Sequence, residues 1–161
     1  MSVTLHTSLG DLKVELSELT PRLSENFMAL CASGAYTNSL FHRVVSGFIA
    51  QGGAPEGSNG KGGASASGDL LADEFAPSLR HTGRGTLSMA NSAANTNAAQ
   101  FFIAFAAAPH LDGQSCVIGS VIGGADVLNK LEAVPVAGKK FRPVDDVVIQ
   151  GVSIHANPWA R

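Results

Sequence analysis

A chain of 161 residues is long enough for one domain and short for two. Only 15% of its residues are charged and 45% are apolar, which excludes intrinsic disorder, a state of low hydrophobicity and high net charge. A formal charge of -2 leaves no basic footprint and excludes direct electrostatic binding to nucleic acid.

The chain opens with Val3, Leu5 and Thr7 alternating with Thr4 and His6. Leu12, Val14 and Leu16 resume that pattern beyond Ser8-Leu9-Gly10-Asp11, which predicts a β-hairpin. Thr20-Pro21 reads as a helix start, Leu23, Phe27, Leu30 and Cys31 recur at helical spacing, and Gly34 stands where a C-terminal cap belongs. A helix over 21–33 is predicted. Residues 40–45 read as a strand that 48–51 continues past Ser46-Gly47. Residues 52–68 hold almost nothing to bury, so they form a long surface loop of the kind that usually carries function. Strands are predicted over 84–90, 100–105 and 116–122, and a short helix follows with Val127, Leu128 and Leu131 buried. Residues 144–155 alternate as one or two strands, and 157–161 form a tail or docking strap. Seven or eight short strands with two helices predict a mainly β domain, either a closed antiparallel barrel or a sandwich.

The N-terminus carries no cationic start followed by an apolar stretch, and no run of 18 apolar residues occurs. Neither a secretory signal nor a membrane span is predicted. Cys31 and Cys116 form no Cys-x-x-Cys pair, which removes zinc-ribbon and thioredoxin-like chemistry. A single disulfide stays open, but two buried reduced thiols suit a nuclear or cytoplasmic protein better. The phosphate-loop, dinucleotide and nucleophile-elbow patterns all fail, and His6, His42, His81, His110 and His155 are scattered. No metal site and no cofactor is expected.

Two positions stand out. Phe101, Ile103 and Phe105 share one strand face and would fill an interior, which sends Phe102 to the other face beside Gln100. Phe102 is then either packed under a covering element or part of a pocket. Arg43 lies among apolar residues in a charge-poor chain, where an unpaired buried charge is costly. It either pairs with a carboxylate such as Asp73 or Glu74 or serves as a donor at the edge of an apolar site. For Phe48 and Ile49 to line one pocket, Ser46-Gly47 must bend or bulge the strand, and Gln51 would then present its amide near Arg43.

The stretch Phe41-His42-Arg43-Val44-Val45-Ser46-Gly47-Phe48-Ile49-Ala50-Gln51-Gly52-Gly53 resembles the cyclophilins, the peptidyl-prolyl cis-trans isomerases. Leu87-Ser88-Met89-Ala90-Asn91, Asn95-Thr96-Asn97, Gln100-Phe101-Phe102-Ile103 and Leu111-Asp112-Gly113 extend the likeness over the chain. The opening residues, and Ile154-His155-Ala156-Asn157-Pro158 near the end, are similar to the small single-domain cyclophilin-like 3 subgroup, which is associated with the spliceosome. The resemblance implies a closed eight-stranded antiparallel barrel with two helices and a groove on its outer face. It also implies an isomerase that acts as a monomer on proline-containing peptides and proteins, spliceosomal proteins among them. By the same resemblance Arg43 is the catalytic residue. Phe48, Ile49, Phe102 and Leu111 form the proline pocket, Gln51, Asn91 and Gln100 hold the substrate backbone, and Ala90 and Ser92 line the groove. His110 and Ser115 replace the family's usual Trp and His, and Ile49 its Met. The loss of that Trp predicts weak or no cyclosporin binding. Ala98 replaces a glycine and would be strained if its φ were positive.

Overall fold

The computed structural model describes residues 1–155, so the tail 157–161 and the end of the 154–158 motif lie outside the described residues. The alternation at the start of the chain becomes β1 (Ser2–Thr7) and β2 (Gly10–Leu16), paired antiparallel from Ser2–Glu15 to Thr7–Gly10. Their inward residues Val3, Leu5, Leu12 and Val14 are fully buried. The predicted helix is α1 (Pro21–Ser33). Pro21 occupies its first turn, where a missing N–H loses nothing. Glu74 accepts the unpaired N–H of Leu23 at 2.7 Å, and Gly34, at φ 79°, closes the C-terminal end in a left-handed cap.

β3 (Ser39–Val45) and β4 (Ile49–Gly52) do not form one continued strand as expected. They are an antiparallel hairpin, because Ser46–Phe48 turn the chain back, with Gly47 at φ 79° and the Phe48 N–H bonded to the Val45 carbonyl at 2.9 Å. β5 (Thr86–Met89), β6 (Phe101–Ala104) and β7 (Val117–Gly123) follow, then α2 (Ala125–Glu132) with Val127, Leu128 and Leu131 buried. A small hairpin of β8 (Val136–Ala137) and β9 (Arg142–Pro143) was not foreseen, and the last strand, β10 (Val148–His155), is shorter than the alternation over 144–155 suggested.

Eight strands close into an antiparallel barrel in the order β1-β10-β3-β4-β6-β5-β7-β2, which decides between the barrel and the sandwich. β1 and β10 complete the ring, with Ser2 opposite His155. The core lies inside and includes residues of both helices. Phe27 of α1, Tyr36, Phe41 and Phe101 pack with ring centroids 5.3–6.0 Å apart, mostly edge to face. The buried Tyr36 hydroxyl donates to the Ala99 carbonyl at 2.7 Å. Among the described residues no helix is long and apolar enough to cross a membrane.

Cys31 and Cys116 are both free and buried. Burial pushes each thiol up to about 12. Neither should therefore react with an aromatic disulfide reagent at pH 8 in the native state, and both should react once denaturant unfolds the chain. Rapid native-state labelling of either thiol would contradict this burial.

Candidate active site

Residues directly opposite each other on antiparallel strands share a face. One such row runs Val44, Ala50, Ile103, Leu87 across β3, β4, β6 and β5, and all four belong to the core. The adjacent row runs Arg43, Gln51, Phe102, Ser88 and therefore stands on the outside of the barrel wall. Phe41 is also in the core, although Phe41 and Arg43 would share a face in a regular strand. The ladder shows why they do not. Phe41 opposes Gly52 and Arg43 opposes Gln51, so His42 is an extra residue, and the bulge sits there and not at Ser46-Gly47. His42 lies against Gly60 of the long loop, where a Cβ would strike its ring.

The apolar end of this outer face is built by Ile49, Phe102, Phe48, His110 and Leu111. Ile49, on the same face as Gln51, and Phe102 are each 4% exposed yet lie outside the core cluster. What covers Phe102 is not a helix. The ring of His81 stacks on it at 5.8 Å and 16°. Phe48, at the end of the β3–β4 turn, stacks on the exposed His110 ring at 5.6 Å and 27°. His110 and Leu111 come from a short 3₁₀ turn, Pro109–Leu111, and the half-buried Ser115 bonds back to it through its N–H to the Leu111 carbonyl at 3.0 Å.

The polar end is organised by two amides. Gln51 Nε2 donates to Gln100 Oε1 at 2.9 Å, and Gln100 Nε2 in turn donates to the carbonyls of Gly62 (2.9 Å) and Gly60 (3.3 Å). A cleft of about 390 Å³ opens here, with Gln51, Ala90, Asn91, Ser92 and Gln100 all on its wall. Asn91 is held through its side chain, which donates to Asn97 Oδ1 (3.3 Å) and the Gln114 carbonyl (3.2 Å). Its backbone N–H and C=O have no partner among the described residues. Ala98 does not have a positive φ; in that segment Asn95 does, at 58°, so the expected strain at Ala98 is absent.

The carboxylates considered as partners of Arg43 are engaged elsewhere. Asp73 accepts from Asn97 Nδ2 at 2.7 Å and from the Asn95 N–H at 3.1 Å, and Glu74 caps α1. Among the described residues Arg43 makes no ion pair and no side-chain hydrogen bond, so a half-buried guanidinium stands on the outer face of the wall with its donors free. Burial lowers the pKa of His42 beside it; a backbone hydrogen bond to Leu40 opposes this, and the Arg142 and Arg43 charges add to the lowering.

The residues that support the pocket escaped sequence reasoning. His81 is buried, and Asp112 accepts at one oxygen from both its backbone N–H (2.7 Å) and its Nδ1 (2.8 Å). The Nδ1 proton therefore points at Asp112, and Nε2 shares a hydrogen bond with the Ser88 hydroxyl at 3.0 Å. Ser88 stands opposite Phe102, and Asp112 follows Leu111, so one imidazole braces two pocket residues. The only sequence signal was the Leu111-Asp112-Gly113 block; nothing local points from it to His81.

The family described as cyclophilin type peptidyl-prolyl cis-trans isomerase/CLD matches the chain over residues 2–154. The protein named peptidyl-prolyl cis-trans isomerase-like 3 from Gallus gallus is 51% identical over 161 residues, covering 99% of each chain. Its namesake from Homo sapiens is 49% identical over 162 residues, covering all of each. A crystal structure of a Cryptosporidium parvum cyclophilin type peptidyl-prolyl cis-trans isomerase, obtained in the presence of the dipeptide Ala-Pro, has a TM-score of 0.91 at 44% identity and covers 98% of this chain and 100% of its own.

The His81 brace has a pH limit. Two N–H donors of His81, the backbone one first, hold the Asp112 carboxyl below its ordinary value. A depressed carboxyl stabilises the fold above its unfolded pKa, and the effect is lost as pH falls through the folded one. In an acid NMR titration the His81 amide should therefore shift with a midpoint below that of a free aspartate, about 3.9. A midpoint at or above that value would show that His81 does not hold the carboxylate.

Proposed function

Because the chain belongs to the cyclophilin-type peptidyl-prolyl cis-trans isomerases, it is an enzyme that rotates Xaa–Pro bonds, and we propose that it does so in the groove centred on Arg43. The observation that carries this reading is the outward row in which an unpaired guanidinium stands beside Gln51 and Phe102. A peptide bond resists rotation by about 18–20 kcal/mol because nitrogen shares its lone pair with the carbonyl. At proline the two end states lie close in energy, so only the barrier has to be lowered. No bond breaks, and no nucleophile, metal or proton relay is required.

In the twisted state conjugation is lost and the proline nitrogen becomes a hydrogen-bond acceptor. Arg43 donates to it then and not before, which is binding selective for the transition state. Phe48, Ile49, Phe102 and Leu111 hold the ring. Gln51 and the free backbone groups of Asn91 hold the flanking chain, and Gln100, Ala90 and Ser92 shape the cleft it follows. An acceleration of about 10⁵ requires about 7 kcal/mol of such selectivity, within reach of one charged donor in a dry groove together with positioning. The Cryptosporidium parvum relative studied with Ala-Pro supports a proline-containing ligand.

Proline-containing segments of protein clients in the nucleus or cytoplasm are the proposed substrates, in folding or in the remodelling of complexes. The likeness to the cyclophilin-like 3 subgroup directs this toward the spliceosome. A second reading is favoured by His110 and Ser115, which change the pocket rim while Arg43 is kept. In it the groove mainly docks a proline segment and the protein serves as a scaffold in a ribonucleoprotein complex.

Arg43→Ala should lower kcat/KM on a short proline peptide by about 10²–10³ while changing peptide affinity far less. Near-normal turnover of that variant in a coupled assay would refute the role of Arg43. Retention of all cellular partners by the inactive variant would favour the scaffold. His110→Trp should tighten cyclosporin binding at least about tenfold, some 1.4 kcal/mol, by titration calorimetry. Unchanged affinity would show that His110 is not what weakens it.

A further inference from the structure

The turn between β3 and β4 is gripped from outside the groove. Gly47 in that turn is exposed, yet its N–H donates at 2.7 Å to Oε2 of Glu132, the last residue of α2. The second oxygen, Oε1, accepts from Arg84 Nη1 at 2.7 Å. Arg84 is fixed in turn by Asn129 Oδ1 on its Nη2 (2.7 Å), by the Phe105 carbonyl on its Nη1 (3.2 Å) and by the Phe105 ring, 5.4 Å from the guanidinium carbon. Phe105 then donates its N–H to the Phe48 carbonyl at 2.8 Å. Two successive residues of the turn are thus clamped, Gly47 by its N–H and Phe48 by its C=O. Phe48 is the residue whose ring meets His110 at the rim of the apolar pocket.

We propose that Glu132, oriented by Arg84, is a positioning residue for the isomerase: it fixes the β3–β4 turn and so sets where the Phe48 ring stands over bound proline. The inference rests on the groove assignment above. The Gly47 N–H, followed by Arg84, keeps the Glu132 carboxyl below its ordinary value, so the acceptor is charged at neutral pH. Arg84 and Glu132 are 36% and 24% exposed, and ion pairs so exposed contribute little. The Arg43 backbone, by contrast, is fixed by its own ladder position opposite Gln51 and not by the clamp. Loss of the clamp should therefore displace a pocket wall and leave the donor in place.

Steady-state kinetics on a proline peptide, with Glu132→Ala, Glu132→Gln and Arg43→Ala beside the parent, test this. Glu132→Ala should raise KM about fivefold or more with kcat within about twofold, and Glu132→Gln, which keeps an acceptor for Gly47, should return KM to within about twofold of the parent. A general loss of folded protein would instead lower apparent kcat at unchanged KM, and that result overturns the proposal, as does failure of Glu132→Gln to rescue. If Glu132→Ala does not fold, amide exchange in the parent decides. The exposed Gly47 N–H should exchange at least about tenfold slower than its random-coil rate, and unprotected exchange overturns the clamp. If Arg43→Ala is inactive while Glu132→Ala matches the parent, only the clamp fails. If Arg43→Ala is itself fully active, the groove assignment fails and the clamp's role with it.

Discussion

The groove depends on a guanidinium held outside a wall whose flanking residues are inside it. Phe41 and Val44 are both core residues, and the odd number of steps between them cannot be spanned by regular alternation. The single unpaired residue at His42 resolves this conflict. Without it, Arg43 would share the face of Phe41, and an unpaired cation in a barrel interior costs several kcal/mol. The same bulge therefore protects the core and creates the site. It also sets Arg43 opposite Gln51, which fixes the spacing between the cation and the amide pair that reaches the long loop.

The segments around this row have little regular structure, but they are far from loose. Asn26 of α1 is buried, donates to the Ala98 carbonyl and accepts from the Ala66 N–H, both at 2.8 Å, so one helix side chain joins the long loop to the segment before β6. The fully buried Asn97 exchanges backbone hydrogen bonds with Leu71 and donates its side chain to Asp73. Backbone groups that a sheet would have satisfied are satisfied here by amide side chains. The result is a groove with preorganised walls, which a reaction needing only selective binding requires.

Alternation and helical spacing alone made most of the barrel legible. The first hairpin, α1, α2 and the inward set Phe101, Ile103 and Phe105 could be read from residue order because each obeys a local period. The parity that sends Phe102 outward was legible for the same reason. The β3–β4 turn was not. Phe48 to Gln51 is as strand-like as Leu40 to Val45, and only the β3–β4 ladder reveals that β4 runs back beside β3. A bend or bulge is expected at Ser46-Gly47 because glycine is the usual local cue, and the chain does turn there, whereas the bulge lies at His42, its position set by two core residues competing for one face. The site residues came from family resemblance, and their supports were out of reach of either approach. His81, Ser88 and Asp112 belong to separate segments, and only the closed ring brings them together.

In that ring the first and last barrel strands are neighbours, Ser2 beside His155, and β10 pairs on its other side with β3, the strand that carries Arg43. A unit built this way can be spliced into a longer polypeptide at one point of its surface. The architecture is suited to reuse as a cassette, because the ring is closed by its own first and last strands.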